Sequence, residues 1–391
     1  MPRVVLAYSG GVDTSVAIPW LIEHHHAEVV TVTLDLGQGV ELEEVRDRAL
    51  ASGAARAHVI DARDAFANDF IRPALQARAI YEDRYPLATA LGRPLVARQL
   101  VEIARIEAAT AVAHGAGRGQ DRARLEMAVR ALDPSLDVLA PARLSGQTRA
   151  EAVEYARRRG VALPATAESP YRIDRNLWGR SISGGGLDDP WREPPDDVYA
   201  ITRSPGDTPD QPAYVELEFE AGVPIGLNGV GMSLVELIQS LETIAGAHGV
   251  GRVDMIENRV PPGAPGEKSR ELYEAPAAVV LHAAHRELQT FVTPRDLERL
   301  TSDLAVAYAD VVYNGKWYSP IREAIDALVA KVQERVTGVI RMKLFRGDCR
   351  VVGRTSPHAR YDRPAAISGG SDTAVRRAKA RRRQPARRGT A

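Results

Sequence analysis

The chain has 391 residues, 51 Lys and Arg against 51 Asp and Glu, and a single cysteine, Cys349. One cysteine excludes an internal disulfide, a CxxC redox pair and a cysteine-based zinc site, and the length favours two domains rather than one core. No apolar run is long enough to span a bilayer and the first residues do not read as a signal peptide, so we expect a soluble, cytoplasmic protein.

The first part of the chain alternates short apolar runs with stretches of helical periodicity. The β-branched runs cover residues 3–8, 28–36, 57–61, 110–114 and 136–140. Between the second and third runs, Val40, Leu42, Val45 and Ala49 show the three-to-four spacing of a helix. This alternation predicts a doubly wound parallel sheet covered on both faces, with ligands beyond the carboxyl ends of the strands.

The composition and hydrophobic periodicity of the sequence change near residue 164. A Gly-, Pro- and Trp-rich segment follows, which we interpret as a long functional loop or domain connection. A hairpin is predicted over 214–229, helices over 233–247, 295–310 and 319–336, and strands over 338–353, which together indicate an α+β domain. We therefore divide the chain into 1–165, 166–364 and a basic tail, 365–391, for which we expect disorder.

The stretch "LAYSGGVDTS", residues 6–15, joins the first strand to the first helix. Gly10 and Gly11 allow positive φ and close backbone approach, while the helix amino terminus, Ser9, Thr14 and Ser15 supply donors for an anion. No Lys follows the glycines and the glycines are adjacent, so neither the GxxxxGK[ST] nor the GxGxxG pattern is present. The alternative is a tight strand-to-helix turn without a ligand.

The full form SGGxDTS resembles the pyrophosphate-binding loop of the N-type ATP pyrophosphatases, an adenine nucleotide alpha hydrolase-like fold. Further motifs resemble the argininosuccinate synthase family from residue 3 to about residue 362. They are "VLAYSGGVDTS", "DLGQG", "YEDRY", "AHGAGRGQDRARLE", "NLWGRSI", "DDPW", "HGVGRVDMIENR", "KSRELYE", "VTGVIRMKLFRG" and "VVGR". The resemblance implies an ATP-binding domain followed by a synthetase and multimerisation domain.

The resemblance also implies an activity, cofactors and site residues. The activity is an AMP-forming ligase that joins citrulline to aspartate through a citrullyl-adenylate, with ATP and Mg²⁺ as cofactors and no protein metal site. The positions matching the family's ATP site are Ala7, Tyr8, Ser9, Gly10, Gly11, Val12, Asp13, Thr14, Ser15, Leu34 and Gly115. Those assigned to the amino-acid substrates are Tyr85, Gln120, Asp121, Arg124, Arg172, Ser181, Glu257 and Tyr273. The catalytic assignments are Ser9, Asp13, Asp121 and Arg124.

Departures from the family pattern cluster at the amino-acid positions. Ala90 and Arg172 each stand where the family has serine, Gln120 replaces asparagine, one residue is missing after Ala116, and Val260–Glu267 is an insertion. These changes leave three interpretations open. The protein catalyses the family's own reaction, with other substitutions that compensate for these changes, or it is a paralogous ligase that acts on another ureido or carboxylate and amine pair. The third is a non-catalytic relative that binds a nucleotide. For Arg124 and Glu257, a buried salt bridge is the alternative to substrate binding.

The remaining expectations concern partners. The family's closing apolar helix is replaced by the basic tail, in which eight Lys and Arg residues lie between Arg376 and Arg388. We expect small-molecule substrates and a homo-oligomer, either a tetramer or a dimer. We expect no membrane association, and nucleic acid is not indicated because the body of the chain carries no basic excess.

Overall fold

The computed structural model describes residues 1–39, 41–116, 119–164, 167, 169–258 and 268–359. Its first part is built on a five-stranded parallel sheet with strand order β3-β2-β1-β4-β5. The strands are β1 Arg3–Ala7, β2 Glu28–Asp35, β3 Arg56–Asp61, β4 Ala111–His114 and β5 Asp137–Leu139. All five predicted strands are confirmed, with ends that agree within one residue. β1, β2 and β4 are largely buried, whereas the edge strands β3 and β5 are partly exposed.

Helices cover both faces of this sheet, which confirms the doubly wound fold. They are α1 Val12–His25, α2 Leu42–Ala51, α3 Arg63–Ala65, α4 Arg72–Gln76, α5 Ala88–Ile106, α6 Gln120–Leu132, α7 Pro141–Leu144 and α8 Arg149–Arg158, with a π-helical turn Phe66–Ile71 between α3 and α4. On β1, Val4 and Leu6 pack with α1 and α2. Val5 points the other way, into the core that contains α5. The period-two alternation of β1 thus separates the two helical layers.

The second part contains two antiparallel sheets and four long helices. One sheet has the order β11-β12-β7-β6, the other β10-β9-β8-β13-β14. Strands β6 to β14 are Arg172–Asn176, Gly179–Ser183, Ala213–Glu220, Val223–Leu227, Val230–Gly231, Arg252–Asn258, Lys268–Glu274, Gly338–Phe345 and Asp348–Thr355. Helices α9 to α12 are Leu234–Ala247, Pro276–Val292, Arg295–Tyr313 and Pro320–Gln333. Short 3₁₀ turns occupy Gly185–Asp188, Asp196–Val198 and Pro205–Asp207.

One expectation is corrected here. The segment after residue 164 was predicted to be irregular, whereas β6 and β7 form a regular hairpin within it. The sequence of β6, "RIDRN", is almost wholly polar because this strand is the edge of its sheet and carries half-buried charged side chains. An edge strand of this kind lacks the hydrophobic alternation on which strand prediction relies.

The turn between β6 and β7 joins the two parts of the molecule. The Leu177 amide donates to the Leu36 carbonyl over 2.6 Å, just after β2. The buried Trp178 indole donates to the Pro86 carbonyl over 2.9 Å. Asn176 Nδ2 donates to the Ala88 carbonyl over 2.8 Å, at the start of α5. This hairpin therefore lies across the carboxyl edge of the parallel sheet, where ligands were expected.

Some expectations fall beyond what the structure describes. The Val260–Glu267 insertion and the basic tail from residue 365 lie outside the described residues. The domain boundaries stay predictions. In the described part of the chain, none of the helices combines the length and apolarity that crossing a membrane requires.

The buried helix α10 provides a test of acid stability. His282 is buried, its ring lies 5.8 Å from that of Trp178, and neither of its nitrogens has a hydrogen-bond partner among the described residues. Desolvation, with the nearby His285, Arg78 and Arg286, lowers its pKa to about 3. An unfolded histidine has a pKa of about 6.5, so protonation favours the unfolded chain and stability is lost as the pH falls below that value.

We expect His282→Leu to remove part of this acid sensitivity. Between pH 7.5 and 5.5 the wild type should lose about 1.4 kcal/mol through this residue, and the variant should not. Urea unfolding at both pH values measures the difference. An equal loss of unfolding free energy in the two proteins would contradict the expectation.

Candidate active site

The backbone conformation of the loop between β1 and α1 leaves the first amides of α1 uncovered. Gly10 has φ +74°, and Gly11, with φ −75° and ψ 170°, caps α1 without closing over its first amides. Arg48 of α2 donates Nη1 to the Gly10 carbonyl over 3.1 Å from behind the loop. The unpaired amides of the first turn therefore face the cleft, as an anion site requires.

The loop hydroxyls divide into two groups. Ser9 Oγ lies 3.2 Å from Thr14 Oγ1, accepts the Gly11 amide over 3.3 Å, and stays at the partly exposed surface of the loop. Ser15 is completely buried, and its Oγ lies 3.0 Å from the hydroxyl of the equally buried Tyr8. Ser9 is thus placed to contact a ligand directly, while the buried Thr14 also donates to the Gly11 carbonyl over 3.1 Å. Tyr8 and Ser15 brace the loop from inside.

Two positions matched to the ATP site, Gly115 and Leu34, lie at the ends of β4 and β2, the strands on either side of β1. Gly115 follows β4, and a Cβ added there would lie 2.5 Å from Thr14 Cγ2. Only glycine therefore lets β4 end so close to the first turn of α1. Leu34 lies near the end of β2, and its carbonyl accepts Gln38 Nε2 over 2.7 Å. The loop, Leu34 and Gly115 share the carboxyl edge of the sheet, as their positions in β1, β2 and β4 dictate.

Asp13 introduces a negative charge at this anion site. Partial desolvation raises the pKa of its carboxyl group, and the positive charges of Arg149 and Arg172 oppose that rise. These two arginines therefore act on the loop from α8 and β6. In the described part of the chain no group of three or more His, Cys, Asp or Glu side chains could hold a metal ion.

A second cluster of side chains gathers around Glu257 of β11. The Tyr273 hydroxyl donates to Oε1, and the Tyr313 hydroxyl donates to Oε2 over 3.0 Å. The ring of Tyr273 stacks on that of Tyr85 at 4.2 Å. The Tyr85 hydroxyl accepts the amides of Thr89 and Ala90 over 3.0 and 3.3 Å, at the first turn of α5. Glu257 is therefore a buried carboxylate held by phenols, and no salt bridge to Arg124 is formed.

Burial and hydrogen bonds compete at Glu257. Desolvation raises the pKa of its carboxyl group, while the bonds from Tyr273 and Tyr313 and the charge of Arg124 lower it, with a net rise. Because the Glu257 carboxylate is poorly hydrated, a cation bound next to it would interact with it strongly. An ammonium group is the ligand that such a site favours most.

Four charged side chains form a chain next to this cluster. Arg124 Nη1 donates to Asp121 Oδ1 over 2.7 Å, and Arg93 Nη2 donates to Asp121 Oδ2 over 2.8 Å. Arg93 also donates to Asp174 of β6. Burial would raise the pKa of Asp121, but the two arginines lower it to about 2. Asp121 is therefore an anion shared by two guanidinium groups.

Arg124 is fixed on its other side as well. Its Nε donates to the Tyr313 carbonyl over 2.8 Å, and its guanidinium lies 4.7 Å from the Tyr313 ring centre. The side chain is only 5% exposed, so these contacts fix its guanidinium in a buried position. The salt-bridge interpretation thus holds in part for Arg124, with Asp121 rather than Glu257 as its partner.

Most of the predicted amino-acid positions meet in this cleft. Tyr85, Asp121, Arg124, Glu257 and Tyr273 belong to the two clusters. Ser181 of β7 stands opposite Tyr273 in the sheet, and its Oγ lies 3.4 Å from Thr89 Oγ1. Gln120 is the first residue of α6, next to Asp121. Arg172 is separate, because it acts on Asp13.

Four side chains of the cleft were not predicted from the sequence: Thr89, Arg93, Asp174 and Tyr313. Thr89 and Arg93 are four residues apart on α5, so they share the face that Tyr85 caps, and that spacing could have indicated them. Tyr313 reaches Glu257 from the end of α11, 56 residues away in the chain. No local pattern carries that information.

Comparison with known proteins agrees with this geometry. The family model described as the arginosuccinate synthase N-terminal HUP domain matches residues 3–162, and that described as the C-terminal domain matches residues 171–380. Argininosuccinate synthase of Gloeobacter violaceus is 53% identical over 362 residues, 92% of this chain and 90% of the relative. That of Symbiobacterium thermophilum is 51% identical and covers 92% of this chain and 89% of the relative.

A solved structure of a 4-thiouridine synthetase in complex with RNA and ATP covers 41% of each chain at 23% identity and a TM-score of 0.31, which is too distant for any argument. The family models and the relatives near 50% identity are decisive, since together they span nearly the whole chain. The chain, with its ATP-binding loop and adjoining cleft, therefore belongs to the argininosuccinate synthase family of ATP-dependent ligases.

Proposed function

We propose that the protein condenses citrulline with aspartate to form argininosuccinate, with conversion of ATP to AMP and pyrophosphate. The observation that supports this most strongly is one cleft that joins an open anion-binding loop to a carboxylate, Glu257, and a guanidinium, Arg124. A carboxylate and a guanidinium are the two groups that recognise the ammonium and carboxylate ends of an amino acid.

The reaction proceeds in two displacements. The ureido oxygen of citrulline attacks the α-phosphorus of ATP, the bond to the β-phosphate oxygen breaks, and pyrophosphate leaves. The aspartate amine then attacks the ureido carbon of the citrullyl-adenylate, AMP leaves with the former ureido oxygen, and the amine gives up a proton. Because a ureido oxygen is a weak nucleophile, positioning and charge neutralisation supply most of the acceleration.

Each group of residues has a role in this scheme. Ser9, Thr14 and the amides of the first turn of α1 receive the pyrophosphate as its charge develops. Glu257 binds the citrulline ammonium group and Arg124 its carboxylate, while Tyr85 and Tyr273 form the wall between them. Asp121 lies where the aspartate amine would approach, and with its pKa near 2 it is an anion that attracts an ammonium group. Arg93 keeps Asp121 in place.

Mg²⁺ fits this site as a ligand of the nucleotide. The loop presents one carboxylate, Asp13, which is a hard oxygen donor but is too few for an all-protein cage. The ion would therefore be held mainly by phosphate oxygens and water, and Asp13 is the loop carboxylate that could contribute a ligand. Bound there, Mg²⁺ would neutralise charge on the phosphates.

The altered positions are compatible with the family's own reaction. At Ala90 a side-chain hydroxyl is absent, but Thr89 Oγ1 and Ser181 Oγ remain together on the same wall of the cleft. Identity of 50 to 53% over more than nine-tenths of the chain favours this reaction over a paralogous ligase or a non-catalytic relative.

We also propose a homo-oligomer in the cytoplasm. The indole of Trp191 is 96% exposed, which supports burial against another copy, since large aromatic side chains are enriched in interfaces. A cytoplasmic location is supported by the substrates, because ATP and free amino acids are abundant there.

The purified protein, supplied with MgATP, citrulline and aspartate, is expected to form argininosuccinate, AMP and pyrophosphate in equal amounts. Omitting aspartate should leave citrulline-dependent exchange of labelled pyrophosphate into ATP. Absence of both activities would contradict the proposal. Pyrophosphate release that requires another ureido or carboxylate compound would instead support a paralogous ligase.

A further inference from the structure

One face of the edge strand β6 lies along the whole cleft. Residues two apart on a strand share a face and are spaced by about 7 Å. On this face Asn176 bonds the first turn of α5, and Asp174 bonds Arg93. Arg172 is the next residue on the same face, so it extends the row from the amino-acid side of the cleft towards the nucleotide loop.

The far end of this row acts on the loop through its charge. The charge of Arg172 acts on the carboxyl group of Asp13, which stands in the first turn of α1. Its side chain is exposed, and among the described residues its guanidinium makes no hydrogen bond and no salt bridge. Arg149 acts on Asp13 from the start of α8, but its Nη2 already donates to the Ala167 carbonyl over 3.1 Å. Arg172 therefore has all its donors available beside the loop.

Charge balance at the loop shows what these donors could serve. The leaving pyrophosphate carries several negative charges, whereas the loop supplies neutral amides and hydroxyls and one anion, Asp13. No Lys lies within residues 1–39, and the arginines that bond or act on the loop are Arg48, Arg149 and Arg172. Arg48 and Arg149 each already bond a backbone carbonyl. A guanidinium with free donors matches phosphate oxygens in geometry as well as charge.

We propose that Arg172 is a phosphate ligand, which binds the β- and γ-phosphates of ATP and the departing pyrophosphate rather than citrulline. This assignment rests on the proposed function and specifies one position within it. It differs from the expectation drawn from the sequence, where Arg172 was grouped with the amino-acid positions. The strand geometry places it one step beyond them.

Three variants at this position test the assignment in the full-length protein: Arg172→Ala, Arg172→Lys and Arg172→Ser. Product inhibition by pyrophosphate and the KM values for ATP and citrulline are measured for each. In Arg172→Ala and Arg172→Ser we expect inhibition by pyrophosphate to weaken by about 10- to 100-fold, as loss of a charged hydrogen-bonding group predicts. The KM for ATP should rise in parallel, that for citrulline should change by less than about 2-fold, and lysine should restore part of the affinity.

The matched control is Arg158→Ala, which removes an exposed guanidinium on α8 that has only a 4.0 Å contact with Glu154. It should leave all constants unchanged. A rise in the citrulline KM with unchanged pyrophosphate inhibition would overturn the proposal. If the wild type makes no argininosuccinate, calorimetric titration with magnesium pyrophosphate still decides the role of Arg172. Equal affinities of wild type and Arg172→Ala would overturn it, and weaker binding by the variant would support it.

Discussion

Replacing Glu257 by glutamine is expected to raise the KM for citrulline by about 100-fold, because loss of one partner from a buried charged pair costs about 2 to 5 kcal/mol. The substitution keeps the shape of the side chain and one oxygen, which can accept from one of the two phenols, while the new amide nitrogen can donate to the other phenol oxygen. It removes the negative charge that faces the substrate ammonium group. The KM for ATP should stay within about 2-fold of the wild type, since the loop is untouched. Steady-state kinetics with each substrate varied in turn measure both values.

Two further variants make this test specific. Tyr313→Phe removes one hydrogen bond to Glu257 but keeps its charge, so we expect a rise in the citrulline KM of about 5-fold. Glu287→Gln removes a charge that pairs with Arg354 at the surface and should have no kinetic effect. Folding of Glu257→Gln is expected to be intact, because burial already raises the pKa of the carboxyl group and thus favours its neutral form. An unchanged citrulline KM in Glu257→Gln would contradict the assignment.

Gly115→Ala should lower kcat/KM for ATP by about 100-fold, as a displacement of about 1 Å in a catalytic element predicts. The added methyl group would lie 2.5 Å from Thr14 Cγ2 and 3.3 Å from the Thr14 amide nitrogen. Because β4 is buried in the middle of the sheet, α1 must move instead, and its first turn carries the phosphate-binding amides. Initial rates at varied ATP measure the effect.

The control for this variant is another glycine of the same domain. Gly146 has φ +65° and no atom within 4 Å of an added Cβ, so Gly146→Ala introduces backbone strain without a collision. It should cost about 1 kcal/mol of stability and leave kcat/KM for ATP unchanged. Comparable kinetic losses in the two variants would show that general destabilisation, rather than a shift of α1, explains the result.

The parts of the fold that could be predicted from the sequence are those in which local pattern and burial coincide. The parallel strands are short apolar runs set between stretches of helical periodicity, so this change of pattern marks both their presence and their ends. The hairpin of β6 and β7 was missed because "RIDRN" is polar on both faces. Its side chains bond Arg93 and Ala88, and Arg172 acts on Asp13 through its charge. These partners belong to other elements and leave no periodic signal in the strand.

In the candidate site, too, some residues could be predicted from local sequence and others could not. The loop from Ser9 to Ser15 could be interpreted locally because the glycines, the hydroxyls and the helix start are contiguous. Arg93 and Tyr313 could not, because each acquires its role from a partner distant in the chain. The placement of Arg172 likewise depends on the direction in which β6 crosses the sheet, which only the folded chain defines.

The sharing of Asp121 by two arginines has a consequence for substrate entry. In the proposed complex Arg124 binds the substrate carboxylate while Arg93 continues to hold Asp121, so the aspartate is not left as an unpaired anion. The substrate carboxylate brings one negative charge and the substrate ammonium group at Glu257 brings one positive charge, so binding of the zwitterion leaves the total charge of the site unchanged. The site can therefore bind and release substrate on every turnover without leaving Asp121 as an unpaired charge.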